Sequence, residues 1–71
     1  MKIHFQASRD PKAQRAFKKL TEVYGQEKSP ADADVIVPLG GDAQALRSLQ
    51  DAIRYGVSVY GLNHGHVGSF L

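Results

Sequence analysis

The stretch "DVIVPLGGDAQAL" (34–46) joins two patterns. Residues 35–39 are apolar throughout, which fits a strand buried on both faces rather than one. Helical spacing follows, and a helix is predicted over 42–55, with Leu46, Leu49 and Ile53 inward and Gly56 as its stop. Pro38 removes a ladder donor and marks the end of regular pairing. Gly40, Gly41 and Asp42 stand at the junction between strand and helix.

Working outward, "KIHFQ" (2–6) alternates: Ile3 and Phe5 point one way, Lys2, His4 and Gln6 the other. This predicts a strand with one buried face. In "SRDP" (8–11), Asp10 is placed to cap a helix and Pro11 to start it. Ala13, Ala16, Phe17, Leu20, Val23 and Tyr24 continue at helical spacing, and Gly25 is a natural stop. The longest polar connection, 25–34, is too short to divide two domains, so residues 1–71 read as one. "VSVYGL" (57–62) is a third strand with Val57 and Val59 on one face, and "NHGHVGSFL" (63–71) is a glycine-rich loop with an apolar end.

The order is βαβαβ, hence an α/β fold with a three-stranded parallel sheet, a Rossmann-like half domain. The second strand, apolar on both faces, belongs in the centre. Two right-handed crossovers stepping the same way place both helices on one face. The other face then needs a cover, and a second copy of the chain is the expected one.

Seventy-one residues bury roughly 60% of their unfolded surface, so stability is marginal. There is no cysteine, which excludes disulfides and Cys-based zinc sites. No apolar run approaches the roughly 20 residues of a membrane helix, and "MKIHFQ" lacks a signal-peptide core, so a cytoplasmic chain away from membranes is expected. Net charge is only +2. Lys12, Arg15, Lys18 and Lys19 read as a solvated helix face rather than a nucleic-acid footprint.

Two roles are open for Gly40, Gly41 and Asp42. The glycines turn the chain and Asp42 caps the helix. Alternatively, this is an anion loop. Ligands of open α/β sheets bind beyond the carboxyl ends of the strands, where helix N-terminal N–H groups favour phosphate. Asp42 would then bind Mg2+ bridging phosphates, or take a proton from an attacking hydroxyl. Asn63 directly follows the third strand, so it lies at the same edge, with an amide suited to a ribose or phosphate. Gly65 and Gly68 permit close backbone approach. His64 and His66 lack a third ligand, so no metal site is assigned to them. His4 is given no role.

Together, "LGGDA", a helix, a strand and "YGLNHGHVG" resemble the N-terminal domain of NAD kinases, with their Gly-Gly-Asp-Gly loop and later Asn-x-Gly-x-x-Gly-Phe loop. "MKIHFQAS", "ADVIV" and "VYGLN" are similar to short bacterial members, and the resemblance covers essentially the whole chain. The family is a transferase that makes NADP. It phosphorylates the 2′-hydroxyl of the NAD adenosine ribose from ATP or, in some members, polyphosphate, with a divalent metal such as Mg2+. The resemblance implies that Asp42 is the base, that Gly40, Gly41 and Ala43 lie against phosphates, and that Asn63, Gly65 and Gly68 help hold the nucleotide.

This sequence departs from the family at three points. Ala43 replaces the loop's last glycine, Ser69 separates Gly68 from Phe70, and Pro38 interrupts the strand that delivers the loop. The family's Asn-Glu motif and β-rich C-terminal domain are not among these residues. The expectation is a domain that is inactive by itself and binds nucleotide weakly. The alternatives are a nucleotide or phosphate binder without turnover, and a fragment or redesign that folds and self-associates with its loops as relics.

Overall fold

A computed structural model of the chain describes residues 1–63 and 66–69. The elements run β1 (Ile3–Ala7), α1 (Pro11–Tyr24), a 3-10 turn (Pro30–Asp32), β2 (Val35–Leu39), α2 (Asp42–Tyr55), β3 (Ser58–Asn63) and β4 (His66–Ser69). One sheet has the order β1-β2-β3-β4. β1, β2 and β3 are parallel, with β2 in the centre as expected, and β4 pairs antiparallel with β3. The strand β4 replaces part of the expected loop. Residues 64 and 65, between β3 and β4, and residues 70 and 71 lie outside the described residues.

The two helices pack on opposite faces of the sheet, contrary to the expectation of one shared face. Ile36 and Val37 are neighbours in a strand, so they point to opposite faces. Ile36 packs with Ala52, Val57, Val59 and Leu49 on the α2 side. Phe5 and Leu39 pack with Ala13 and with Val37, Ala16, Phe17 and Leu20 on the α1 side. The strand order moves one way across both connections. Crossing one face and then the other requires one crossover to be left-handed, against the usual rule.

The reason lies in β2. Val35, Ile36 and Leu39 are all buried, which demands cover on both faces. Leaving either face bare would forfeit about 1.5–3 kcal/mol for each large side chain exposed. That is a large part of the roughly 4–10 kcal/mol that a 71-residue domain has to lose. Burial therefore outweighs the preference in hand.

The capping expected of α1 is present. The Asp10 carboxylate accepts from the Lys12 N–H at 3.0 Å, and Pro11 opens the helix. Val23 and Tyr24, expected to share the apolar spacing, are 73% and 61% exposed. Helix length explains this: 14 residues span about 21 Å, whereas the 5 residues of β1 span about 17 Å, so the last turn overhangs the sheet.

The inward face of α2 also differs from the expected one. Leu49 packs on the core, but Leu46 and Ile53 are 57% and 67% exposed. The fully buried residues are Ser48 and Ala52. The cause is the polar side of β1, which α2 covers. Ser48 Oγ donates to Gln6 Oε1 at 2.6 Å, and Gln6 Nε2 donates to Asp51 Oδ2 at 2.9 Å. Only the small stripe of α2 brings a hydroxyl close enough to answer Gln6.

The free edge of β1 is closed by the connection after α1. Glu27 N donates to Ile3 O at 2.8 Å, and Phe5 N donates to Gln26 Oε1 at 2.9 Å. His4 Nδ1 lies 2.6 Å from Glu27 O; a carbonyl only accepts, so this nitrogen carries the proton. These bonds occupy backbone groups that would otherwise template another strand.

Candidate functional site

The carboxyl ends of β1, β2 and β3 define one edge of the sheet. Pairing of β2 with β1 runs from Val35 to Leu39, but pairing with β3 is confined to Val35 and Ile36. Pro38 therefore sits where pairing with β3 has ended, while its place opposite Gln6 is kept. The strands part beyond the pair Ile36 and Val59. Gly40 and Asn63 each lie four residues beyond that pair.

The two loop glycines have different causes. Gly40 has φ +142°, and a Cβ there would lie 2.6 Å from Ser8 Oγ. The fold alone requires glycine at this position. Gly41 has φ −87°, and a Cβ on it would meet nothing within 4 Å. Packing gives no reason for a glycine at 41, and the space over its backbone is open.

Gly41, not Asp42, is the N-cap of α2, and no side chain caps that end. The bland role for Asp42 as the cap is thereby corrected: its carboxylate lies in the first helical turn and is exposed. Ala43 follows in the same turn, also exposed, in helical backbone that any residue adopts. The missing glycine there imposes no backbone strain.

Two crevices flank the loop. One, of about 250 Å3, lies on the α1 side against Asp10, Lys12, Ala13, Pro38, Leu39 and Gly40. The other, of about 580 Å3, runs between the β1–α1 turn and the start of α2, lined by Ala7, Ser8, Arg9, Ala43, Gln44 and Arg47. Ser8 ties the turn to the loop: its N–H donates to Leu39 O at 2.9 Å, and its Oγ accepts from Asp10 N at 3.3 Å. On the other wall, Gln44 Nε2 donates to Ser48 Oγ at 3.2 Å.

Of the other expected site residues, Asn63 ends β3 opposite His66, and Gly68 lies in β4 opposite Gly61. Gly65 and His64 fall outside the described residues. Among the described residues, no group of three or more His, Cys, Asp or Glu is placed to hold a metal ion. Ser8, Arg9, Gln44 and Arg47 were not singled out from sequence. Position after a strand was the available signal for Ser8 and Arg9.

The chain is 42% identical to an NAD kinase of Brucella suis over 66 residues, 93% of this chain and 25% of that protein. This chain is related to NAD kinases over a quarter of their length. An NAD kinase of Caulobacter vibrioides is 43% identical over 67 residues, again 25% of its length, and one of Rhizobium meliloti is 47% identical over 66. The relationship expected from the two loops thus extends along nearly the whole chain. No family model matches it, and no solved structure matches it significantly. No helix among the described residues is long and apolar enough to cross a membrane.

Proposed function

We propose that this chain is the nucleotide- and phosphate-binding part of an NAD kinase, with the Gly40–Ala43 loop against the phosphates and Asn63, Gly65 and Gly68 holding the nucleotide. The observation that carries this is the contrast between the two loop glycines. Gly40 is fixed by Ser8, whereas Gly41 has open space above its backbone, at the sheet edge where anions bind.

In the complete enzyme, Asp42 accepts the proton of the NAD 2′-hydroxyl as that oxygen attacks the γ-phosphorus of ATP and ADP leaves. Its carboxylate is exposed beside the loop, so substrate can reach it. A single carboxylate plus substrate phosphates is also a common way of holding Mg2+, and Asp42 fits that pattern. When bound, Mg2+ would neutralise phosphate charge.

Phosphoryl transfer depends on groups held around both donor and acceptor. The chain spans about a quarter of its relatives, so ATP, NAD and Mg2+ belong to the proposal for the complete protein, as does a cytoplasmic location. These residues alone are expected to show no turnover. Incubation with ATP, Mg2+ and NAD should form no NADP. NADP formation that disappears in Asp42→Asn would overturn the inactivity and keep the role of Asp42.

A second role is self-association as a homodimer. The bare sheet face first expected to drive it is covered by α2. The exposed Leu46 and Ile53, one above the other on α2, now favour it. Sedimentation at rising concentration tests this, and a monomer throughout would exclude it.

A further inference from the structure

We propose that Gln6 and Ser48 are positioning residues for the Gly-Gly-Asp loop: acting through Gln44, they hold the first turn of α2 without occupying its N–H groups. This rests on the phosphate role of that loop and names what keeps it ready for an anion.

The start of α2 has little to hold it. No side chain caps it at Gly41, and the N–H groups of Gln44 and Ala45 share one acceptor, Gly41 O, each at 3.1 Å. Among the described residues, nothing accepts from the N–H of Asp42 or Ala43. A capping side chain at 41 would accept from Ala43 or Gln44 and steady the turn, but it would set an oxygen where an anion is to bind.

The turn is anchored from further along the helix instead. Gln44 Nε2 donates to Ser48 Oγ at 3.2 Å, Ser48 Oγ donates to Gln6 Oε1 at 2.6 Å, and Gln6 Nε2 donates to Asp51 Oδ2 at 2.9 Å. The direction of this chain is forced. A carboxylate only accepts, so Gln6 turns its NH2 to Asp51 and its oxygen to Ser48. The single Ser48 hydroxyl proton goes to Gln6, which leaves Ser48 Oγ as the acceptor and obliges Gln44 to donate. Ser48 is fully buried, so water does not compete for its bonds.

β1 thus reaches the loop from both sides. Ser8, just past its end, is fitted against Gly40, and Gln6, two residues earlier, anchors α2 through Ser48. Gly41 lies between these fixed points with open space above it.

The test is amide hydrogen exchange of the labelled chain, then titration with ATP and Mg2+. Gln44→Met keeps the length and helix propensity of the side chain but not its donor. Exchange at Gln44 and Ala45 should rise about fivefold, the equivalent of one hydrogen bond, with Ile36 and Val59 unchanged. ATP binding, read at the Asp42 and Ala43 amides, should weaken about twofold to fivefold, because only the ordered turn binds. Gln6→Leu with Ser48→Ala keeps Gln44 but removes its anchor, and should show the same two effects. Asp51→Asn, which still accepts from Gln6, should behave as the parent chain.

Unchanged exchange at Gln44 and Ala45 in both variants overturns the anchor. Weaker ATP binding in Gln44→Met alone shows direct contact by Gln44 and also overturns it. Faster exchange with unaltered ATP binding overturns the positioning role and leaves the loop's role standing. A parent chain with a folded spectrum and no ATP shift overturns the loop's phosphate role, and the positioning role with it.

Discussion

Ser8 and Gly40 are fitted to each other: a Cβ on Gly40 would sit 2.6 Å from Ser8 Oγ and 2.8 Å from Ser8 Cβ. The contact locks the β1–α1 turn to the loop that leaves β2. It makes one glycine of the pair structural and releases the other from that duty.

Gly40→Ala should therefore destabilise the chain by about 2–4 kcal/mol, from backbone strain at φ +142° and overlap with Ser8. Gly41→Ala should change stability by less than about 1 kcal/mol, since nothing opposes its Cβ. Urea unfolding of the two variants checks the difference. Equal losses would show that the loop is shaped otherwise.

Ser48 is fully buried and gives Gln6 its hydrogen bond. Ser48→Ala leaves Gln6 Oε1 without its donor, and the expected loss is about 1–3 kcal/mol. Restoring a matched apolar pair with Gln6→Leu in the same chain should recover part of it. A double-mutant cycle on thermal unfolding measures the coupling.

Leu46→Gln and Ile53→Gln should leave stability within about 0.5 kcal/mol, because both side chains already face water. Ile36→Ala, in the fully buried centre of β2, should cost about 2–5 kcal/mol. If the exposed pair mediates a dimer, the Gln variants lower the sedimentation coefficient and abolish any rise of the urea midpoint with chain concentration, leaving the midpoint at low concentration unchanged.

Asp10→Ala should remove the bond to Lys12 N and cost about 1 kcal/mol, read as a lower urea midpoint. Asp10→Asn, which keeps an accepting oxygen, should restore most of it.

The parts of this fold written locally were legible. Asp10-Pro11, Gly25 and Gly56 mark helix ends by backbone chemistry that acts within a turn. The apolar run at 35–39 placed β2 in the centre. The side on which α2 lies was not legible from the handedness rule, although the same run contained the answer: a strand buried on both faces needs a helix on each. The outward turn of Leu46 and Ile53 followed from Gln6, a residue in β1, and periodicity within α2 carries no sign of it. β4 reads as loop in the sequence because the glycines and histidines of 63–68 outweigh its spacing, two residues after β3, which is a hairpin signal. In the candidate site, Asp42 and the glycines stood out, whereas Arg9 and Arg47 come to line one crevice only through folding.

The most direct test of the loop's role is an amide titration of the chain with ATP, Mg2+ and NAD. The account predicts shifts at Gly40–Ala43 and Asn63, with Ile36 and Val59 unmoved. A folded spectrum that stays unchanged at millimolar nucleotide would contradict it and leave the loop as a turn serving only the fold.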